Sequence, residues 1–133
     1  MLTVRLLTTI PALALSLALS FPVMADQRHC PMSTGRNSHV ICGNGCDQDA
    51  DKARLEILAR SIVTTKSSVC LLALVDPQDP GYSKKLAIKR VLWVRDTLVE
   101  QGVLSDRIAV ELRPSLPGAD KVELRHIDII FGR

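Results

Sequence analysis

The run Val69 to Val75, which contains no polar side chain, is the feature that most constrains the fold of this chain. An apolar run this short is typical of a β-strand that lies in the centre of a sheet and is covered on both faces. The next residues, Asp76 to Gly81, include two prolines and a glycine, which predict a loop. The sequence therefore predicts a buried central strand followed by an irregular connection.

Apolar residues at helical spacing flank this strand on both sides. Before it, a helix is predicted from Ala50 to about Thr64, on the spacing of Leu55, Leu58, Ala59 and Ile62. After it, Ser83 is a candidate N-cap for a second helix, which runs to about Gln101 and presents Leu86, Val91, Val94 and Leu98 on its apolar side. Gly102 follows in the place expected of a C′ residue.

Three further strands complete the predicted order. His39 to Cys42 is a short candidate strand, Arg107 to Leu112 is a second, and Val122 to Phe131 is the last. In the last strand Ile127, Ile129 and Phe131 share one face and Asp128 lies on the other. The resulting βαβαββ order predicts a single small α/β (α+β) domain, with a mixed sheet and two helices packed on one face.

The first 25 residues have the pattern of a secretory signal peptide. Arg5 supplies the basic region, Leu6 to Leu19 the apolar region, and Val23 with Ala25 the small-residue cleavage site. An uncleaved anchor is the alternative, but the apolar run is short for a bilayer span. We expect cleavage after Ala25, release into the periplasm and a mature chain without a transmembrane segment. Residues 26–46 then form a cysteine-bearing segment and residues 47–133 the domain.

All four cysteines, Cys30, Cys42, Cys46 and Cys70, lie in the exported part. An even number of cysteines in an oxidising compartment predicts two disulfides, for which three connectivities are open, and a buried free thiol is the alternative for Cys70. The sequence His29-Cys30, His39, Cys42 and Cys46 also has the composition of a zinc site. Zinc requires thiolates, which this compartment oxidises, so we expect disulfides, no metal and no cofactor.

Charge and motifs exclude other classes of function. The chain has 17 basic and 14 acidic residues, and removal of Arg5 with the leader leaves 16 against 14. So small an excess argues against nucleic-acid binding. Nucleophile-elbow, Walker and zinc-protease motifs are absent from the sequence, which predicts a protein that is not an enzyme.

Several segments between Val69 and Ile129 resemble the OmpA-like peptidoglycan-binding domain. Val75-Asp76 is similar to the family's strand end, and the family's helix motif Tyr-Asn-x-x-Leu-Ser-x-x-Arg-Ala-x-x-Val is matched in register by Tyr82, Leu86, Arg90 and Val94. Gly102 to Ile108 and Leu124 to Ile129 are similar to the segments that close the family's domain. Ser83, Leu124 and His126 depart from the motifs, and the link between the last two strands is too short for the family's third helix, so this would be a divergent, shortened member.

The resemblance implies that Asp76 and Arg90 recognise the diaminopimelate residue of the peptidoglycan stem peptide. A zwitterionic amino-acid head needs an acceptor for its ammonium and a forked donor for its carboxylate, which suit these two side chains. Tyr82 and Arg125 match the same motifs and complete the expected site. The alternatives are that Asp76 only bonds its own turn and that Arg90 is solvated or pairs with Asp76 or Glu56.

Two functions remain open from the sequence. The first is a periplasmic module that binds peptidoglycan and is associated with the wall or the outer membrane. The second is a degenerate OmpA-like subunit of an envelope or secretion complex, which docks on another protein and does not bind the wall.

Overall fold

The computed structural model describes residue 30, residues 36–41 and residues 49–132. These contain β1 (Arg36–Ile41), α1 (Asp49–Thr65), β2 (Ser68–Val75), α2 (Pro80–Glu100), β3 (Ile108–Pro114) and β4 (His126–Gly132). Two 3₁₀ turns, Ser105–Arg107 and Glu123–Arg125, precede β3 and β4. The predicted βαβαββ order is confirmed. The expected signal peptide, His29, Cys42 and Cys46 lie outside the described residues.

The four strands form one mixed sheet in the order β1-β4-β2-β3. β2 and β3 are parallel, whereas β4 is antiparallel to both β1 and β2. Consecutive buried residues run through β2 from Val69 to Ala73, on both faces of the sheet. The prediction of a central strand covered on both sides is therefore confirmed. β1 belongs to this sheet although it falls within the segment 26–46.

One face of the sheet carries both helices, as the sequence predicted. Alternate residues of β2 and β4 point to this face and are buried: Val69, Leu71, Ala73, Ile127, Ile129 and Phe131. They join a single core cluster with the buried residues of the two helices, which are Leu55, Ala59, Ile62, Ala87, Val91, Val94 and Leu98. The faces assigned to the last strand are confirmed, since Ile127 and Ile129 are buried and Asp128 is not.

The opposite face of the sheet is held by a disulfide between Cys30 and Cys70, with a Cα–Cα distance of 5.5 Å. Cys70 is buried, as expected, and the alternative of a free thiol there is wrong. The Cys30 backbone N–H also donates to Glu111 Oε2 at 2.7 Å. Arg113 Nε donates to the other oxygen of Glu111 at 2.7 Å. One covalent bond and one hydrogen bond thus attach Cys30, six residues before the start of β1, to the helix-free face.

The sequence predicted one end of α2 less accurately than the other. α2 begins at Pro80 and not at Ser83, because proline fits the first helical position and Asp79 takes the N-cap place. The predicted loop is therefore shorter by two residues. At the other end, Gly102 has φ +100° and its N–H donates to Val99 O at 3.0 Å, as a C′ glycine does.

The last strand also begins later than predicted, at His126 instead of Val122. Residues Val122 and Glu123 turn because their backbone N–H groups both donate to Asp120 Oδ1, at 2.8 Å each. β1, in contrast, begins earlier than the predicted His39. Among the helices of the described part of the chain, none combines the length and the apolar character that a membrane crossing requires.

Candidate ligand-binding site

Asp76 lies at the carboxyl end of β2, half-buried, where the chain turns toward α2. Its Oδ1 accepts the Gln78 N–H at 2.9 Å, which is the backbone bond expected of an aspartate in a turn. Its own N–H donates to Ser83 Oγ at 2.7 Å, so the turn is fastened to the first turn of α2. No described residue donates to Oδ2. One carboxylate oxygen is therefore used by the turn, and the other is open to a ligand.

Arg90 lies in the middle of α2, on the side of the helix that faces the turn before β4. Its Nη1 donates to the Leu124 carbonyl at 3.4 Å, a long hydrogen bond. The seven residues from Ser83 to Arg90 correspond to roughly 10 Å along the helix axis. Within the described part of the chain, Arg90 forms no ion pair with Asp76 or with Glu56, so those two alternatives are wrong.

Arg90 is a partly buried cation that lies near a second cation, Arg125. Burial, and then the positive charge of Arg125, lower the pKa of Arg90, while Tyr82 acts in the opposite direction. An arginine remains protonated at neutral pH in spite of such a shift. Burial and the neighbouring cation thus both disfavour the charged form of Arg90.

Arg125 reaches this place on the 3₁₀ turn before β4. Its Nε donates to the Lys121 carbonyl at 3.2 Å, which holds the half-buried side chain along the turn. Asp120 sets the turn through its two backbone hydrogen bonds, and the same turn presents the Leu124 carbonyl to Arg90. The sequence analysis did not assign these roles to Asp120 and Leu124. An aspartate that precedes a turn by two to three residues is nevertheless a recognisable sequence signal for such a turn.

Tyr82 is the third residue of α2 and lies two helical turns before Arg90, on the same side of the helix. Its side chain is 65% exposed. The structure thus brings Tyr82 and Arg125 each within electrostatic range of Arg90. It places Asp76 at the same end of the sheet, one hydrogen bond from the residue after Tyr82.

This arrangement suits recognition of a small zwitterion. Two guanidinium groups and a phenol can bind a carboxylate, and the free oxygen of Asp76 can accept from an ammonium group. A separate cleft of about 210 Å³ lies at the opposite end of the sheet, lined by residues that include Ile62, Gly102, Val103 and Arg107. That cleft contains none of the four predicted residues, and its lining carries no carboxylate to meet an ammonium group.

The alternative zinc site loses Cys30, one of the two members that the structure describes. Cys30 is bonded to Cys70, and a disulfide sulfur is not a thiolate ligand. His39 Nδ1 lies 2.7 Å from Asp128 Oδ1 on the helix-free face of the sheet. The preference for disulfides is confirmed for this cysteine pair. Cys42 and Cys46 lie outside the described residues.

Comparisons with known proteins identify the fold. A scan against protein-family models and a search of curated proteins both find no match. The peptidoglycan-associated lipoprotein of Burkholderia pseudomallei is similar in structure, with TM-score 0.58, 20% identity and coverage of 73% of this chain and 90% of that chain. The cell wall anchor of the Pseudomonas aeruginosa T6SS has TM-score 0.56 and 18% identity, over 73% and 81% of the two chains.

A third similar structure carries the name of the fold. The OmpA-like domain of FopA1 from Francisella tularensis matches with TM-score 0.53 and 19% identity, over 62% of this chain and 61% of that chain. The element order, the mixed sheet and the two helices on one face agree with this likeness. The described part of the chain therefore has the OmpA-like fold.

Proposed function

We propose that this protein is a non-enzymatic periplasmic module that binds peptidoglycan through the diaminopimelate residue of the stem peptide. The observations that support the proposal are that Arg125 and Tyr82 act electrostatically on Arg90, and that Asp76, at the same end of the sheet, keeps one carboxylate oxygen open. In the proposed complex Arg90 and Arg125 bind the ligand carboxylate, Tyr82 lies beside it, and Asp76 accepts from the ammonium group.

The names of two structurally similar proteins support the same class of ligand. One is named a peptidoglycan-associated lipoprotein and the other a cell wall anchor. Diaminopimelate offers a carboxylate and an ammonium on one carbon, which is the pattern that the four side chains complement. A charge-assisted hydrogen bond contributes about 1.5–3 kcal/mol, so each site would bind weakly by itself. The wall repeats its stem peptides, and a repeated ligand compensates for a weak single contact.

A pelleting assay with purified sacculi tests the proposal. The wild-type chain is expected to sediment with the wall, and Arg90→Lys, which keeps the charge but loses the forked donor, to bind roughly tenfold to a hundredfold more weakly. Asp76→Asn is expected to weaken binding as well. Arg60→Lys and Asp106→Asn are the matched controls, because both residues are exposed and lie away from the four side chains, on α1 and on the 3₁₀ turn before β3. Equal pelleting of all five proteins would remove these residues from the site.

The runner-up is a subunit of an envelope or secretion complex that has the fold but does not bind the wall. Leu116 favours it, since this loop side chain is 82% exposed and follows β3 at the same end of the molecule as Asp76. In that case Leu116→Ser would release a protein partner in native purification, and sacculi would not pellet the wild type. The two functions thus give opposite results with wild-type protein alone.

A further inference from the structure

The cleft of about 210 Å³ at the end of the sheet away from the candidate wall site lies where both helices end. We propose that it binds a small aliphatic carboxylate, a molecule with one apolar chain, one acidic group and no ammonium group. Ile62 of α1 and Val103 after α2 belong to its apolar lining, and Lys66 and Arg107 supply its charges. This proposal does not depend on wall binding, whose residues lie at the other end of the sheet.

The apolar lining of the cleft has both buried and exposed members. Ile62 and Val103 are buried, whereas Val63 and Leu104 are 46% and 59% exposed. A ligand that fills the cleft would remove apolar surface of these two side chains from water, which favours binding. A volume of about 210 Å³ holds about seven water-sized groups at roughly 30 Å³ each. This size matches an aliphatic acid of about six carbon atoms.

The charged groups on the lining are all positive. Lys66 and Arg107 line the cleft, and no described aspartate or glutamate does. Arg107 Nη1 donates to the Lys66 carbonyl at 2.7 Å, which fixes the guanidinium at the cleft. The other N–H groups of Arg107 and the ammonium group of Lys66 have no acceptor among the described residues. A carboxylate can accept charge-assisted hydrogen bonds from both side chains.

The helix ends do not need these two cations as caps. The last carbonyls of α1 accept from the backbone N–H groups of Lys66 and Ser67. Those of α2 accept from the backbone N–H groups of Gly102 and Val103. A basic side chain near a helix C-terminus often binds such carbonyls, but here the backbone already does so at both helices. The Lys66 ammonium group is therefore available to a ligand.

The backbone of Lys66 adopts a conformation that is strained for a lysine. Its φ is +52°, in the left-handed region, and it is the one non-glycine residue with a positive φ in the described part of the chain. Glycine adopts this conformation at a helix end without steric cost. Strained residues of this kind cluster at ligand-binding sites. The ammonium group beside the cleft is what a lysine supplies at this position and a glycine would not.

NMR titration of the full chain with hexanoate tests the proposal. Saturable shifts are expected for the amides of Lys66, Gly102 and Val103, with no shift at Arg90. Hexan-1-amine and hexanamide have the same apolar chain without the acid, and neither is expected to bind. From butanoate to hexanoate the affinity is expected to rise roughly fourfold per methylene group, and it should level off once the chain exceeds the cleft.

Lys66→Gly separates binding from folding, because it removes the ammonium group and the backbone strain together. It is expected to bind hexanoate roughly tenfold more weakly or worse, while its Tm is unchanged or raised. Lys66→Arg, which keeps the charge, should bind within about threefold of the wild type. Lys52→Gln is the control for the loss of one exposed charge, since Lys52 lies near the start of α1, and its affinity should be that of the wild type.

Three results would overturn the proposal. The first is the absence of saturable shifts at millimolar hexanoate. The second is equal binding of hexanoate and hexan-1-amine, or undiminished binding by Lys66→Gly, since either would show that the positive charge has no part in recognition. The third is a tighter complex with N-acetyl-leucine than with hexanoate, which would replace the small-molecule ligand by the free carboxyl end of a peptide.

Discussion

The Cys30–Cys70 disulfide should supply a large part of the folding stability of this protein. The two cysteines are 40 residues apart in sequence, and the bridge attaches Cys30, six residues before the start of β1, to the central strand. In the chain-entropy description, closing a loop of about 40 residues lowers the entropy of the unfolded state by an amount equivalent to about 4 kcal/mol. Domains of this size are stable by only about 5–15 kcal/mol, so the double variant Cys30→Ala/Cys70→Ala should be marginal.

Urea denaturation followed by Trp93 fluorescence measures this loss. Trp93 is the single tryptophan of the chain and packs against the core, so its signal reports on global unfolding. A loss of about 4 kcal/mol corresponds to a fall in Tm of roughly 15–30 °C for a domain of about 100 residues. Wild-type protein denatured in the presence of a reductant is the control, because it keeps the sulfur atoms of Cys30 and Cys70. Cys42→Ala/Cys46→Ala protein without reductant gives the separate contribution of any bridge between the other two cysteines.

The outcome separates two explanations of the stability. If the bond acts through the unfolded chain, the reduced wild type and the double variant lose similar free energies of unfolding. A loss below about 1 kcal/mol in both would refute the reasoning, because the unfolded chain would then gain little freedom from an open bridge. The hydrogen bond from Cys30 to Glu111 would in that case be the main attachment of this segment.

Three substitutions test the contacts that hold the site and the helix-free face. Ser83→Ala removes the acceptor of the Asp76 N–H and should lower the free energy of unfolding by about 1 kcal/mol in a urea titration, with weaker wall binding. Asp120→Ala removes the acceptor of two N–H groups in the turn before β4, and hydrogen exchange of those amides should accelerate while the core amides stay protected. Glu111→Gln breaks the ion pair with Arg113 and should destabilise the fold by about 1–3 kcal/mol, whereas an unchanged urea midpoint would show that solvent replaces the pair.

The fold could be predicted from the sequence because its helices and strands have characteristic local patterns of apolar residues. The apolar run of β2 could hardly be anything but a central strand, and the spacing of Leu55, Ala59 and Ile62 fixes the buried side of α1. Alternation in β4 placed Ile127 and Ile129 correctly on the core face. Each of these predictions rests on which residues avoid water, and burial in the folded chain obeys the same preference.

The ends of the helices and strands, and the pairing of the cysteines, were harder to predict from the sequence. They depend on contacts between residues that are far apart in the chain. Ser83 is a good N-cap by type, but its hydroxyl accepts from Asp76 within the tertiary structure, and Pro80 begins the helix. Nothing local to Cys30 indicates that Cys70 is its partner, since three connectivities fit the sequence equally. The start of β4 was also missed, because the side chain of Asp120 turns the residues that read as strand.

For the candidate site, the sequence indicated which residues to examine but not how their side chains interact. Family registers indicated Asp76, Tyr82, Arg90 and Arg125, and they lie at one end of the sheet on three different elements. The sequence did not reveal that Asp76 gives one carboxylate oxygen to its own turn, nor that Arg125 lowers the pKa of Arg90. Both effects arise from neighbours that only the folded chain brings near, so spacing alone could not predict them.

NMR titration of the protein with a soluble stem peptide that contains diaminopimelate tests the ligand and its site in one experiment. The account predicts saturable shifts of the Arg90 and Arg125 side-chain signals and of the Tyr82 amide, which disappear when diaminopimelate is replaced by lysine, a residue without the second carboxylate. Shifts centred on Gly102 and Arg107, in the cleft at the opposite end of the sheet, would contradict it. So would a lysine-containing peptide that binds equally well.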